Sequence, residues 1–208
     1  MVGAALAATL LAGPGLAHPH VWVVVKSQIV FDASGKIAAI RHAWTFDEMY
    51  SAFQTQGLAK DGKKATRADM ADLAKLQAEQ LAEFDFFTVA KAAGRKQGYG
   101  TPTEVSLEEG DDKLVTLRFT LPLKETASAG RAFALQVYDP SYFVSFEYDK
   151  TGAVTLDGAP AGCTVNIVQP PPLIAEDAKK KDESFFSGLS PGAEFGVKLA
   201  SRAVVACP

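Results

Sequence analysis

The spacing of hydrophobic and polar positions changes along this chain, and each change marks a different kind of element. Residues 2–12 read V-G-A-A-L-A-A-T-L-L-A, an apolar run with no polar face, which Gly13-Pro14-Gly15 then breaks. The run is shorter than the roughly 20 residues that cross a bilayer. From His20 to Phe31 the residues are mostly β-branched or aromatic, as in a strand. Asp32-Ala33-Ser34-Gly35-Lys36 is a turn, and Ile37 to Phe46 is a second strand, so the two predict a hairpin. Asp47 to Gln56 reads as a helix that stops at Gly57. Thr66 and Asp69 make a loose capping box ahead of a helix from Arg67 to Glu83. In that helix Met70, Leu73, Ala74, Leu76, Ala78 and Leu81 recur at helical spacing.

After Phe84 strand patterns dominate. They fall at Phe86–Ala92, Thr103–Glu108, Leu114–Leu121, Ala132–Tyr138, Val144–Tyr148, Ala153–Leu156 and Thr164–Val168. Asp149-Lys150-Thr151-Gly152 has the composition of a hairpin turn. Gln169 to Gly196 opens on Pro170-Pro171-Pro172, carries a dense charge run and has little periodicity, so it reads as a flexible flap. Val197 to Ala206 reads as a closing strand. The expected fold is a single α+β domain over residues 18–208, antiparallel and β-rich. It has an N-terminal hairpin, one or two helices and then a strand-rich region.

Composition narrows the function. The 208 residues carry 21 Lys and Arg against 24 Asp and Glu, a net charge of −3, and 48% are hydrophobic. Such a chain folds, and it lacks the basic excess that nucleic-acid binding needs. Gly15-Leu16-Ala17 puts small residues at the −3 and −1 positions of a signal-peptidase site. Residues 1–17 are therefore expected to be a signal peptide cleaved after Ala17, although no Lys or Arg precedes Lys26. Export would place the two cysteines, Cys163 and Cys207, in an oxidising compartment, where they are expected to pair.

Cleavage after Ala17 would also begin the mature chain with His18-Pro19-His20. On an extended chain residues i and i+2 share a face, so both imidazoles can meet one ion. Imidazole suits zinc, nickel, cobalt and copper. Pro19 has no amide N–H, which excludes the terminal chelate that uses deprotonated backbone nitrogens. If the hairpin turns near Ser34, paired residue numbers sum to about 68. That register brings Glu48, and beside it Asp47, to His20. It leaves His42 opposite Lys26, roughly 20 Å along the strand. The candidate metal ligands are therefore His18, His20, Asp47 and Glu48, with His42 joining only if the hairpin is bulged or another element bridges. Asp47 would otherwise simply cap the following helix.

Other patterns fail on mechanism. Gly188-Leu189-Ser190-Pro191-Gly192 fits a nucleophile elbow, but Pro191 cannot donate to an oxyanion hole. Lys179-Lys180-Lys181 is flanked by Glu176, Asp177, Asp182 and Glu183, a solvated mixed-charge run. Asp61-Gly62 lacks side-chain oxygens at the first, third and twelfth positions of a calcium loop. An enzyme is not expected. The narrow exception is a copper histidine brace built on the His18 amine.

Four motifs occur in order: Ala17-His18-Pro19-His20-Val21-Trp22-Val23, His42-Ala43-Trp44-Thr45-Phe46-Asp47-Glu48-Met49-Tyr50-Ser51, Glu83-Phe84-Asp85-Phe86-Phe87-Thr88 and Tyr138-Asp139-Pro140-Ser141-Tyr142-Phe143. With these the chain resembles the family of domain of unknown function 1007, described as the periplasmic component of an uncharacterised ABC-type transport system. The resemblance implies a periplasmic protein. It also implies work beside a membrane metal permease or ABC-type transporter, since relatives occur with nickel/cobalt-type permeases. The leading expectation is thus an exported accessory protein that binds a divalent transition metal for such a transporter. The alternative is a metal-free interaction module of the cell envelope.

Overall fold

A computed structural model describes residues 19–58, 63–171 and 195–208. The expected signal peptide, His18 and residues 172–194 of the expected flap lie outside the described residues. The hairpin forms as β1 (Val21–Phe31) and β2 (Ile37–Phe46), followed by α1 (Glu48–Thr55) and α2 (Ala71–Ala82). Then come β3 (Thr88–Ala92), β4 (Arg95–Lys96), β5 (Thr103–Glu109), β6 (Val115–Ala127) and β7 (Phe133–Val137). β8 (Val144–Tyr148), β9 (Val154–Asp157), β10 (Thr164–Val168), a short α3 (Phe195–Leu199) and β11 (Arg202–Ala206) complete the chain. The α+β class is the one expected. The closing strand is shorter than expected, because Val197 to Leu199 belong to α3.

Two sheets organise the chain. The first runs β5-β6-β2-β1-β8, with β9 also paired to β1, and the second runs β10-β11-β7-β3-β4. The second sheet and the β5-β6-β2-β1 part of the first are antiparallel. β8 and β9 are parallel to β1, one beside Val21–Val25 and the other beside Ser27–Val30. Asp149 to Gly152 is therefore a loop between two collinear strands and not a hairpin turn. Its composition is the same in both cases: the Asp149 carboxylate accepts from the Thr151 N–H and hydroxyl, which needs no returning strand. Local turn chemistry sets the bend, and the edge of β1 decides where the next strand lands.

Alternation along β1 buries Val21, Val23, Val25, Ser27, Ile29 and Phe31 on one face. Two apolar clusters follow from this face. Val21, Val23, Val25, Trp44, Phe46, Leu117 and Met70 form one with the helices, and Ile29, Ile37, Ile40, Phe133, Leu135 and Val205 form the other against the second sheet. The capping box ahead of α2 forms as expected: the Thr66 N–H and hydroxyl donate to Asp69, and the Asp69 N–H donates to Thr66. Regular α-helix nevertheless begins only at Ala71, after a turn. Cys163 and Cys207 form a disulfide across 44 positions and pack on the second cluster.

Candidate functional site

The N-terminal end of β1 is held by Asp47. Its two carboxylate oxygens accept from Trp22 N at 2.8 Å and Tyr50 N at 2.9 Å, so one side chain caps α1 and ties it to β1. Glu48 is exposed in the first turn of α1. His20 is exposed, its N–H donates to Phe143 O at 2.9 Å, and its ring lies on Phe143 with centroids 4.6 Å apart. The structure thus brings Asp47 to the strand end that carries His20. No group of three or more metal-ligating side chains gathers among the described residues.

His42 is elsewhere. Phe31 pairs with Ile37, a sum of 68, but an irregularity between Val30 and Phe31 raises the sum to 69 beyond it. His42 therefore faces Ser27, not Lys26, seven residues along β1 from His20. That separation is about 23 Å at strand rise, so His42 does not join the N-terminal residues. It is 3% exposed and bonds Ser27 Oγ at 3.0 Å through Nδ1 and Thr88 Oγ1 at 3.3 Å through Nε2. The Thr88 hydroxyl donates to Phe86 O at 2.7 Å, so it accepts from His42, which places the ring proton on Nε2. Nδ1 then accepts from Ser27. Burial pushes the His42 pKa down from 6.5 to about 3, so the ring is neutral. This polar bridge joins β1 and β2 of the first sheet to β3 of the second, between the two apolar clusters.

A feature absent from the sequence reading lies one step further along β2. Trp44, two residues from His42 on the same inward face, lines a cavity of about 220 Å³. Its walls come from β1 and β2, from Gln77 and Leu81 of α2, and from Phe84, Phe87 and Phe146. Phe84 is 58% exposed and Phe143 47%, and they stand at the rim. The wall between α2 and β3 is a turn in which Asp85, Phe86 and Phe87 have φ of 50°, 54° and 45°. Three successive non-glycine residues in the left-handed region cost about 1–2 kcal/mol each. The surroundings hold them there: the Thr88 hydroxyl donates to Phe86 O, and the Phe86 side chain is buried. The aromatic density of Phe84-Asp85-Phe86-Phe87 was the available signal, but aromatics in a β-rich chain read first as core.

The Phe143 rim is shaped by Asp139. One carboxylate oxygen accepts from the Ser141 N–H at 2.9 Å and hydroxyl at 2.8 Å, and the other accepts from Val144 N at 3.0 Å. Asp139 is thereby fully engaged in forming the turn that presents Phe143.

Comparison with known proteins gives the family of the chain and no function. An uncharacterised protein of Haemophilus influenzae is 22% identical over 199 residues, covering 92% of each chain. The pattern of a family described as protein of unknown function, DUF1007, matches residues 3–207. That match spans the Asp47 clasp, the His42 bridge, the left-handed turn and the Phe143 loop together, and the chain belongs to the DUF1007 family.

Proposed function

We propose that the protein is an interaction module of the cell envelope that docks a partner protein through the aromatic face around the cavity mouth. The carrying observation is the exposure of large apolar side chains there. Met49 is 69% exposed, Phe53 70%, Phe84 58% and Phe143 47%. They form one face: Phe53 meets Tyr50 with ring centroids 6.2 Å apart, Tyr50 meets Phe46 at 4.9 Å, and both of these line the cavity with Phe84 and Phe143. Aromatic residues and Met are enriched at protein interfaces, and a contiguous apolar surface in water marks a contact site. The Cys163–Cys207 disulfide, and the apolar run of residues 2–12 with the small residues Gly15 and Ala17 after it, support an exported chain.

The test is a photo-crosslinking residue placed at Phe53 in living cells, with a second at Lys150 on the far loop as control. A discrete heterologous adduct at Phe53, absent at Lys150 and lost on Phe84→Ser, is the expected result. Equal adducts at both positions, or none at Phe53, would sink the reading.

A second reading, delivery of a divalent transition metal to a membrane transporter, rests on one observation. Asp47 Oδ2 sits 2.8 Å from Trp22 N, beside the strand end that carries His20. Calorimetric titration of the mature chain with zinc, nickel, cobalt and copper tests it. Binding weakened at least tenfold by His18→Ala/His20→Ala supports it, and binding indifferent to them removes it.

A further inference from the structure

Each sheet ends in two edges, and the edges are not alike. A strand edge in water is a row of backbone N–H and C=O groups able to pair with another strand, and proteins guard it with charge, shortness or a bulge. β4 is two residues long, Arg95 and Lys96, both exposed and charged. β5 carries Glu104, Glu108 and Glu109 and breaks register between Thr103 and Ser106. β8 and β9 lie along the other edge of the first sheet and carry Glu147 and Asp157. β10 has none of these guards. It reads Thr-Val-Asn-Ile-Val, and no charged residue occurs from Gly158 to Ala175. Its register with β11 runs without a bulge, and the disulfide of Cys163 with Cys207 continues it. The edge is thereby held straight.

The direction of its backbone groups follows from the neighbouring strands. Phe87 O accepts from Tyr138 N on the β7 side, and Ala90 O accepts from Gln97 N on the β4 side. Bonding direction alternates along a strand. With the observed registers it turns Leu135 toward Ala203 and Val204 toward Asn166. The N–H and C=O of Val165 and Ile167 then face the open side. Among the described residues no other strand pairs there, and no backbone group bonds either residue from that side. The Val165 and Ile167 side chains pack on the second apolar cluster but are only partly buried. One more strand would cover them.

We propose that β10 is a self-pairing edge: two copies of this chain join antiparallel through β10, about a two-fold axis at Asn166, and merge their second sheets. A second copy is the occupant because the strand is its own complement. The outward N–H and C=O of Val165 in one copy meet those of Ile167 in the other, and the reverse, so each finds a partner. Thr164 comes beside Val168, which is 38% exposed in the single chain, and Asn166 faces Asn166, amide to amide. No charge meets a like charge, as it would if β4 or β5 paired with itself. The register is confined at both ends: the Cys163 N–H is already given to Pro160 O, and Pro170 has no N–H. The aromatic docking face is built from other residues, so either reading can fail alone.

The test is sedimentation equilibrium of the mature, disulfide-bonded chain from about 10 μM to about 1 mM, with amide hydrogen exchange followed by NMR over the same range. A monomer–dimer equilibrium is expected. The Val165 and Ile167 amides should gain protection as concentration rises, while those of Asn166 and Val168, bonded to β11, stay protected throughout. Asn166→Lys, at an exposed position, sets like charges opposite each other at the axis. It should weaken the dimer at least about tenfold and leave the melting temperature of dilute protein unchanged. Phe53→Ser should leave the dimer intact. A chain that is monomeric at every concentration overturns the proposal. So does a dimer that survives Asn166→Lys but not Phe53→Ser, or a dimer in which protection of Val165 and Ile167 does not follow concentration.

Discussion

His42 and Trp44 occupy adjacent inward positions on β2, with ring centroids 5.5 Å apart, yet their surroundings have opposite character. His42 sits where two sheets meet and hydroxyls arrive from both, from Ser27 on β1 and Thr88 on β3. Trp44 sits where a sheet meets a helix and aromatic rings, and its N–H finds no partner among the described residues. The difference teaches that a buried polar atom is completed by what crosses above it, and not by its own strand. A sheet edge opposite supplies a hydroxyl at the junction; α2 supplies aliphatic and amide groups that leave a gap.

The largest expected effect breaks the completed side. His42→Ala removes a buried ring and orphans the Ser27 hydroxyl, while Thr88 keeps its bond to Phe86 O. It should cost about 3 kcal/mol in urea unfolding at pH 7. Trp44→Phe removes a donor that is already unpaired, and should cost about 1 kcal/mol or less. A larger loss at Trp44 than at His42 would reverse the comparison.

Acid titration comes next. Unfolded, His42 takes up a proton near pH 6.5; folded, burial holds its pKa down to about 3. Between these values the unfolded chain binds more protons. The stability associated with neutral His42 is therefore complete above about pH 6.5 and is lost as pH falls toward 3. The slope is about 1.4 kcal/mol per pH unit. Denaturation at pH 7.5 and 5.5 should show this loss, and His42→Gln should flatten it. An unchanged slope in His42→Gln would assign the acid sensitivity to carboxylates instead.

The smallest expected effect concerns another unpaired amide. Gln54 is 5% exposed on α1, and both its side-chain polar atoms lack partners among the described residues. Gln54→Met should leave the melting temperature unchanged or raise it, with a gain of about 1 kcal/mol. A clear drop would mean that the amide has a partner in solution.

Much of the fold was legible along the chain because its signals are local. Alternation set β1 and β2, Asp47 capped α1, and Thr66 with Asp69 formed the box before α2. The pairing of Cys163 with Cys207 followed from having two cysteines and an expected oxidising compartment. The candidate site was legible only in part. Asp47 does lie at the N-terminal end of β1, but both its oxygens already accept backbone N–H groups. His42 could not be placed from residue counting, because one irregularity beside Phe31 shifts the whole upper register by one. A shift of one residue moves every side chain to a new opposite number, and with side-chain period two it reassigns faces.

Phe86–Phe87 and Val197–Leu199 read as strand but are a left-handed turn and a helix. By itself the sequence determined most of the strand and helix segments, where α1 is capped, and which faces are apolar. These depend on near neighbours, and turn chemistry and periodicity act over a few residues. Only the tertiary structure decided that β8 and β9 both add parallel to β1, that His42 bridges two sheets, and that Trp44, Gln77 and the Phe84–Phe87 turn enclose a cavity. Each of these joins residues tens of positions apart. Their meeting depends on which sheet edges stay open and on how helix and sheet surfaces fill space, and no local pattern carries that information.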